Sequence, residues 1–264
     1  MSRVLVFDSG LGGVTVYRAL RDQRPDVALG YLADNAVFPY GDLGEDALIK
    51  RTVEVIGAGL SAFRPEVVVI ACNTASTLCL PAVRSAFPEI DIVGTVPAIK
   101  PAARSTRSGQ VSVLATPGTV RRDYTQALIH TFARHVEVTL VGAPNLAKLA
   151  EDFALTGKGD RNAVAREIAP CFVETQRART DTVVLACTHY PLLLPLLETL
   201  APWPVGWIDP ADAIARRVGH LIGQTGAPAG QDPPLFVTQT DADLTGSFAK
   251  LIGELPTCVD LMIG

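Results

Sequence analysis

Histidine occurs only four times in 264 residues, and no two share the H-x-x-x-H spacing of a helical metal pair. The five cysteines, at 72, 79, 171, 187 and 258, are odd in number and never spaced C-x-x-C. That usage argues against a disulfide framework and a ribbon-type zinc site; no metal is expected, and the thiols suit a reducing, cytoplasmic setting. Charge of one sign is also missing. The 23 basic and 27 acidic side chains give −4, with no basic stripe for nucleic acid or a membrane surface. Long hydrophobic runs are absent too: the greasiest stretch, Thr182 to Leu197, carries His189, Pro191 and Pro195 and is shorter than a membrane span. Met1 leads almost directly into the strand-like Arg3-Val4-Leu5-Val6-Phe7, so no signal peptide is expected.

What the chain does have is apolar sequence in short pieces. Hydrophobic residues make up 48% and charged residues 19%, which rules out disorder. Arg3–Asp8, Val27–Ala33, Glu66–Ala71 and Ile90–Gly94 read as strands apolar almost throughout, as strands buried on both faces of a parallel sheet are. Between them, Leu43–Phe63 sets Ala47, Leu48, Thr52, Val55, Ile56, Gly59, Leu60 and Phe63 on one helical face. The alternation predicts an α/β fold, with helices covering both sides of a sheet.

The pattern then starts again. Val111–Ala115, Val136–Val141 and Thr182–Ala186 read as strands, and Val69-Ile70-Ala71-Cys72 matches Val184-Leu185-Ala186-Cys187. The first strand of each half ends in a glycine-bearing polar loop, Asp8-Ser9-Gly10 and Thr116-Pro117-Gly118-Thr119. This reads as an internal duplication: two similar α/β lobes with mostly parallel sheets, related by a pseudo-two-fold axis, with the active site in the cleft between them. The later helix (Asp212–Gln224), loop (Gly226–Pro234), strand (Leu235–Gln239), helix and last strand are too few for a third domain. They are expected to complete the first lobe, which then spans 1–97 plus 210–264 around a second lobe of 98–209.

Ligands bind at the carboxyl ends of parallel strands. The polar clusters expected there are Asp8-Ser9, Cys72-Asn73-Thr74, Thr116 to Thr119, and Cys187-Thr188-His189, joined by the loop holding Pro39-Tyr40-Gly41. A thiol at the same place in both halves suits cofactor-free inversion of a stereocentre. One group removes a proton from one face of the carbon and the other returns a proton to the opposite face. An unperturbed thiol, with pKa about 8.5, is within reach of neutral pH. Hydroxyls and amides at Ser9, Asn73, Thr74, Thr119 and Thr188 are candidate donors to a ligand's carboxylates and to the carbanionic transition state. Cys79, Cys171 and Cys258 lack polar company and read as small core residues. Asp8 has an alternative reading, as the cap of the following helix. Asp8-Ser9-Gly10-Leu11-Gly12-Gly13 fits neither G-x-G-x-x-G nor a lysine-bearing P-loop, so no nucleotide is expected. His130, His135 and His220 read as surface or packing residues.

Six segments, in order, resemble the bacterial glutamate racemases of the cofactor-independent aspartate/glutamate racemase family. They are Phe7 to Gly13, Asp34-Asn35 with Phe38 to Gly41, Ala71 to Ser76, Gly94 to Pro101, Ala115-Thr116 with Gly118-Thr119, and Cys187 to Leu193. The resemblance implies interconversion of L- and D-glutamate without cofactor, supplying D-glutamate for peptidoglycan. It implies Cys72 and Cys187 as the proton donor/acceptors, Cys72 serving the D-enantiomer and Cys187 the L-enantiomer. Substrate contacts are implied at Asp8, Ser9, Pro39, Tyr40, Gly41, Asn73, Thr74, Thr188 and His189, with Thr116 and Thr119 nearby. Asp8 and His189 are implied as polar aids to the thiols, and Glu151 matches an acidic position near the second thiol. A homodimer is also expected. The chain departs from the family pattern at Pro144 to Asp152 and at Asp209-Pro210-Ala211, where many members carry Asp-Ser-Gly. Rival readings are a racemase for aspartate or another acidic amino acid, a non-catalytic two-lobed carboxylate-binding module, and a thiol-redox enzyme in which Cys72 and Cys187 form a disulfide.

Overall fold

A computed structural model describes residues 2–223, 233–261 and 263. The chain opens with β1 (Arg3–Asp8), α1 (Val14–Gln23), β2 (Ala28–Ala33), α2 (Glu45–Phe63), β3 (Val67–Ile70), α3 (Asn73–Ala86) and β4 (Asp91–Gly94). It continues through α4 (Ile99–Ser105), β5 (Gln110–Ala115), α5 (Pro117–Arg121), α6 (Asp123–Phe132), β6 (Glu137–Gly142) and α7 (Leu146–Thr156). Then come α8 (Arg161–Ile168), β7 (Thr182–Ala186), α9 (Leu194–Leu200) and β8 (Gly206–Ile208). It closes with α10 (Ala211–Leu221), β9 (Pro234–Val237), α11 (Ala242–Ile252) and β10 (Thr257–Asp260). Two compact units result: Met1–Thr95 with Ala211–Gly264, and Val96–Pro210.

The first unit holds a six-stranded sheet in the order β10-β9-β2-β1-β3-β4, every pairing parallel. β1 and β3 are apolar on both faces because helices cover both, and every residue of Val67–Ile70 is buried. α2 turns Leu48, Thr52, Val55, Ile56 and Gly59 inward at helical spacing. Gly59 permits that close approach: a Cβ there would meet methyl groups of Leu5 and Leu32 at 2.8 Å. Each fully buried aliphatic side chain in this core contributes about 1.5–3 kcal/mol relative to exposure.

The second unit holds a four-stranded parallel sheet, β6-β5-β7-β8. Its strand order is that of β2-β1-β3-β4, element for element, so the duplication seen in the sequence is a duplication of topology. β8, the counterpart of β4, is the strand the sequence reading lacks. It is three residues long and follows Pro202 and Pro204, and such a segment shows no apolar run.

Other boundaries differ from expectation by a residue or two, as element ends do. The helix expected over Asp212–Gln224 is shorter, Ala211–Leu221, with Ile222 and Gly223 already outside it, while Gln224 and most of the loop expected over Gly226–Pro234 lie outside the described residues. The strand expected over Leu235–Gln239 is Pro234–Val237. Cys79 and Cys171 are buried as expected, but Cys258 is not a core residue. It lies on the sheet-edge strand β10, is exposed, and accepts a hydrogen bond from the Thr245 hydroxyl at 3.6 Å. No helix among the described residues is long and apolar enough to cross a membrane.

Candidate active site

In a sheet ordered 2-1-3-4 the chain reverses its direction of growth between the first and third strands, and the crevice past their carboxyl ends is where ligands bind. In the first unit these strands are β1, which ends at Asp8, and β3, followed at once by Ala71 and Cys72. Their counterparts are β5, followed by Thr116, and β7, followed by Cys187. Each thiol therefore stands at the switch point of its own sheet.

Around Cys72 the contacts are short and buried. Cys72 is the extended N-cap residue of α3 (φ −91°, ψ 119°), and its carbonyl accepts the Ser76 N–H at 2.8 Å. The sulfur thus lies at the positive end of a 14-residue helix, which favours negative charge. Ser9 Oγ lies 4.0 Å from Cys72 Sγ and donates to Asp8 Oδ1 at 3.3 Å, while the Gly10 N–H donates to the same oxygen at 3.0 Å. Asp8 does not cap α1: the N-cap there is Gly13, with no side-chain bond. Gly13 of this loop serves close packing. A Cβ on Gly13 would sit 3.0 Å from the Cβ atoms of Asp8 and Ala71.

The next residue, Asn73, is 2% exposed, and neither its amide nitrogen nor its amide oxygen has a hydrogen-bond partner among the described residues. A buried amide left so incomplete points to a ligand that supplies the missing partners. Thr74 is buried beside it. Tyr40 is buried in the same core cluster as Cys72, whereas Pro39 is half-buried and Gly41 exposed. Burial first, then the Asp34 carboxylate and the hydrogen bond to it, with Cys72 adding, hold the Tyr40 phenol well above its ordinary range. Tyr40 therefore stays neutral.

Cys187 is supported differently. Past it the chain enters a single 3₁₀ turn, Tyr190–Leu193, before α9. In place of a long helix the thiol has a histidine: Cys187 Sγ lies 4.0 Å from His189 Nδ1, and His189 Nε2 lies 3.0 Å from Glu151 Oε2 on α7. The contact is an ion pair when the histidine is protonated. All three side chains are buried, as is Thr188. Thr116 caps α5, accepting the Thr119 N–H at 3.3 Å, and its hydroxyl donates to Thr119 Oγ1 at 3.1 Å. The other histidines lie against other partners: His130 on Arg134, His135 on the Ala103 carbonyl and His220 on the Arg216 carbonyl.

The model of the Asp/Glu/hydantoin racemase family matches residues 18–218. The chain belongs to that family. Among curated proteins, the racemase is 54% identical over 238 residues to the glutamate racemase of Brucella canis, an alignment spanning 90% of this chain and 84% of that one. It is 57% identical over 219 residues to that of Brucella anthropi, at 83% and 79% coverage. Among solved structures it resembles Escherichia coli glutamate racemase, crystallised with L-glutamate and the activator UDP-MurNAc-Ala. That match has a TM-score of 0.88 and 35% identity, over 98% of this chain and 97% of that one. The Bacillus anthracis isoform RacE1 matches with a TM-score of 0.80 and 27% identity, over 100% and 99% of the two chains.

Within the first unit, hydrogen bonds gather Asp8 and Ser9 to Cys72; within the second, Cys187, His189 and Glu151 form one chain of contacts. Two members of the racemase's first-unit network were not legible in sequence: Arg51 of α2 and Thr238 past β9, both hydrogen-bonded to Asp34. Arg51 did carry a signal. It is a cation beside Thr52 and between Leu48 and Val55 on the buried stripe of α2, where an unpaired charge would be costly. Thr238 carried none.

Proposed function

We propose that this chain interconverts L- and D-glutamate in the cytoplasm without a cofactor, supplying D-glutamate for peptidoglycan synthesis. Cys72 and Cys187 act as the two acid–base groups, one for each face of the α-carbon. One starts as thiolate and takes the α-proton; the C–H electron pair stays on carbon as a carbanion. The other starts as thiol and gives its proton to the opposite face, so that each turnover exchanges their states. Asn73, Thr74 and Thr188 offer the donors that hold the substrate's carboxylates and spread the developing charge. Ser9 and Asp8 serve the Cys72 side, and His189 with Glu151 serves the Cys187 side. Pro39, Tyr40 and Gly41 contact the substrate from the first unit, and Thr116 with Thr119 from the second. The observation that carries this reading is the recurrence of one strand order with a cysteine just past its third strand each time.

Replacing either thiol tests it. Cys72→Ala and Cys187→Ala should each abolish racemisation, read by polarimetry, with the circular dichroism of the parent retained. Residual turnover within tenfold of the parent would falsify the two-thiol mechanism. In D₂O, product must carry deuterium at the α-position; product that keeps its original hydrogen excludes proton exchange. Parallel incubation with L-aspartate decides the substrate, and racemisation of aspartate alone would overturn glutamate.

A further inference from the structure

The buried carboxylate of Asp34 lies at the carboxyl end of β2 and is 0% exposed. Four hydrogen bonds converge on it. Tyr40 donates its phenol to Oδ2 at 2.6 Å; Arg51 donates Nε to Oδ2 at 2.9 Å and a terminal nitrogen to Oδ1 at 2.7 Å; Thr238 donates its hydroxyl to Oδ1 at 2.6 Å. Asn35 reinforces the junction: its side-chain oxygen accepts the N–H groups of Thr238 and Gln239, and its amide donates to the Gln239 carbonyl. These contacts tie the Tyr40 turn to α2 on one side and to the returning C-terminal segment on the other. The planar guanidinium matches the carboxylate fork for fork, a geometry that a lysine does not reproduce.

We propose that Arg51, Asp34 and Thr238 are positioning residues that lock Tyr40 and its turn against Cys72. The proposal rests on the racemase reading for the role of Cys72 and extends it to residues that touch neither thiol. With the relay intact, the Tyr40 hydroxyl is spent on Asp34, so its ring, packed 6.1 Å from that of Phe7, walls the thiol without competing for its proton. Arg51 balances the charge of Asp34, which therefore adds no uncompensated anion beside a thiolate. Without Arg51 or the Thr238 hydroxyl, the turn loses its anchor while β1 and β3 stay in place.

Two measurements on Arg51→Gln, Arg51→Lys and Thr238→Val separate positioning from plain destabilisation. The first is the rate of alkylation by iodoacetamide at each cysteine, read by peptide mass mapping on otherwise native protein. Cys79 lies in the same helix as Cys72 and is fully buried, so it reports general loosening of the first unit. Alkylation of Cys72 should rise at least fivefold in Arg51→Gln and Thr238→Val, with Cys79 and Cys187 within twofold of the parent. Parallel rises at Cys72 and Cys79, or no change at Cys72, overturn the relay. The second is steady-state kinetics with glutamate. KM should rise about tenfold with kcat within threefold, and Arg51→Lys should fall between parent and Arg51→Gln. A fall in kcat alone, tracking the folded fraction, counts against positioning. If the parent does not racemise glutamate, the functional reading fails on that result, and the alkylation pattern still decides the relay.

Discussion

Cys72 and Cys187 are equally hidden, at 6% exposure each, yet their surroundings are unlike. One stands at the head of a 14-residue helix; the other stands before a four-residue turn and leans on a histidine and a carboxylate. Glu151→Gln should lower kcat about 100-fold, the lower end of what a positioned acid–base group contributes, with unchanged circular dichroism. Polarimetry checks this, and a loss under twofold would show that Glu151 takes no part in the reaction. Both thiols were legible because each repeats one position in a duplicated unit and is followed by polar residues. Arg51, Asp34 and Thr238 were not assembled from sequence because their contacts span 17 and 204 residues. Asp34 appeared only as a motif letter, and no local pattern announces a partner that distant.

Among the elements, the strands buried on both faces were the clearest, since continuous Val and Ile leave few other readings. β8 was not, because three residues held by pairing with β7 have no periodicity of their own. The far end of that sheet is fastened by Asp181, just before β7. Burial pushes its carboxyl up, but hydrogen bonds from the Thr106 hydroxyl, the Ser108 and Arg107 N–H groups and the Thr182 hydroxyl outweigh it and bring the pKa down to about 2. A carboxyl depressed on folding adds stability above its unfolded pKa of about 3.9, and that stability fades as pH falls toward 2. Because Asp181 is partly exposed, about 1 kcal/mol is expected rather than the full value of the shift. Asp181→Asn should therefore lower urea stability by that amount at pH 7 and by almost nothing near pH 2. A loss equal at both pH values would show that charge is not the cause. Activity per folded molecule should stay at the parent level, since Asp181 lies at the opposite end of the sheet from Cys187.

At the scale of the molecule, the chain leaves the first unit after Thr95 and returns at Ala211. The return supplies β9, which pairs with Tyr31, Leu32 and Ala33 of β2, and Thr238, which completes the shell of Asp34. Truncation after Pro210 should therefore leave 96–210 resistant to limited proteolysis while 1–95 is digested. Mass mapping of the fragments checks this, and equal resistance of both segments would show that the return is dispensable. The second unit owes nothing to the missing strands, because its sheet is complete within Val96–Pro210.

The same interruption sets a timetable on the ribosome. Roughly 140 residues separate Thr95 from Pro234, so at ~5–20 residues per second β2 waits roughly 7 to 28 s for its neighbour after the chain has left the first unit. Throughout that wait the edge of β2 that β9 will cover, at Tyr31, Leu32 and Ala33, is open to any other nascent strand. Synonymous changes that stall elongation between Val96 and Pro210 should therefore lengthen the exposure of that edge without altering a single side chain.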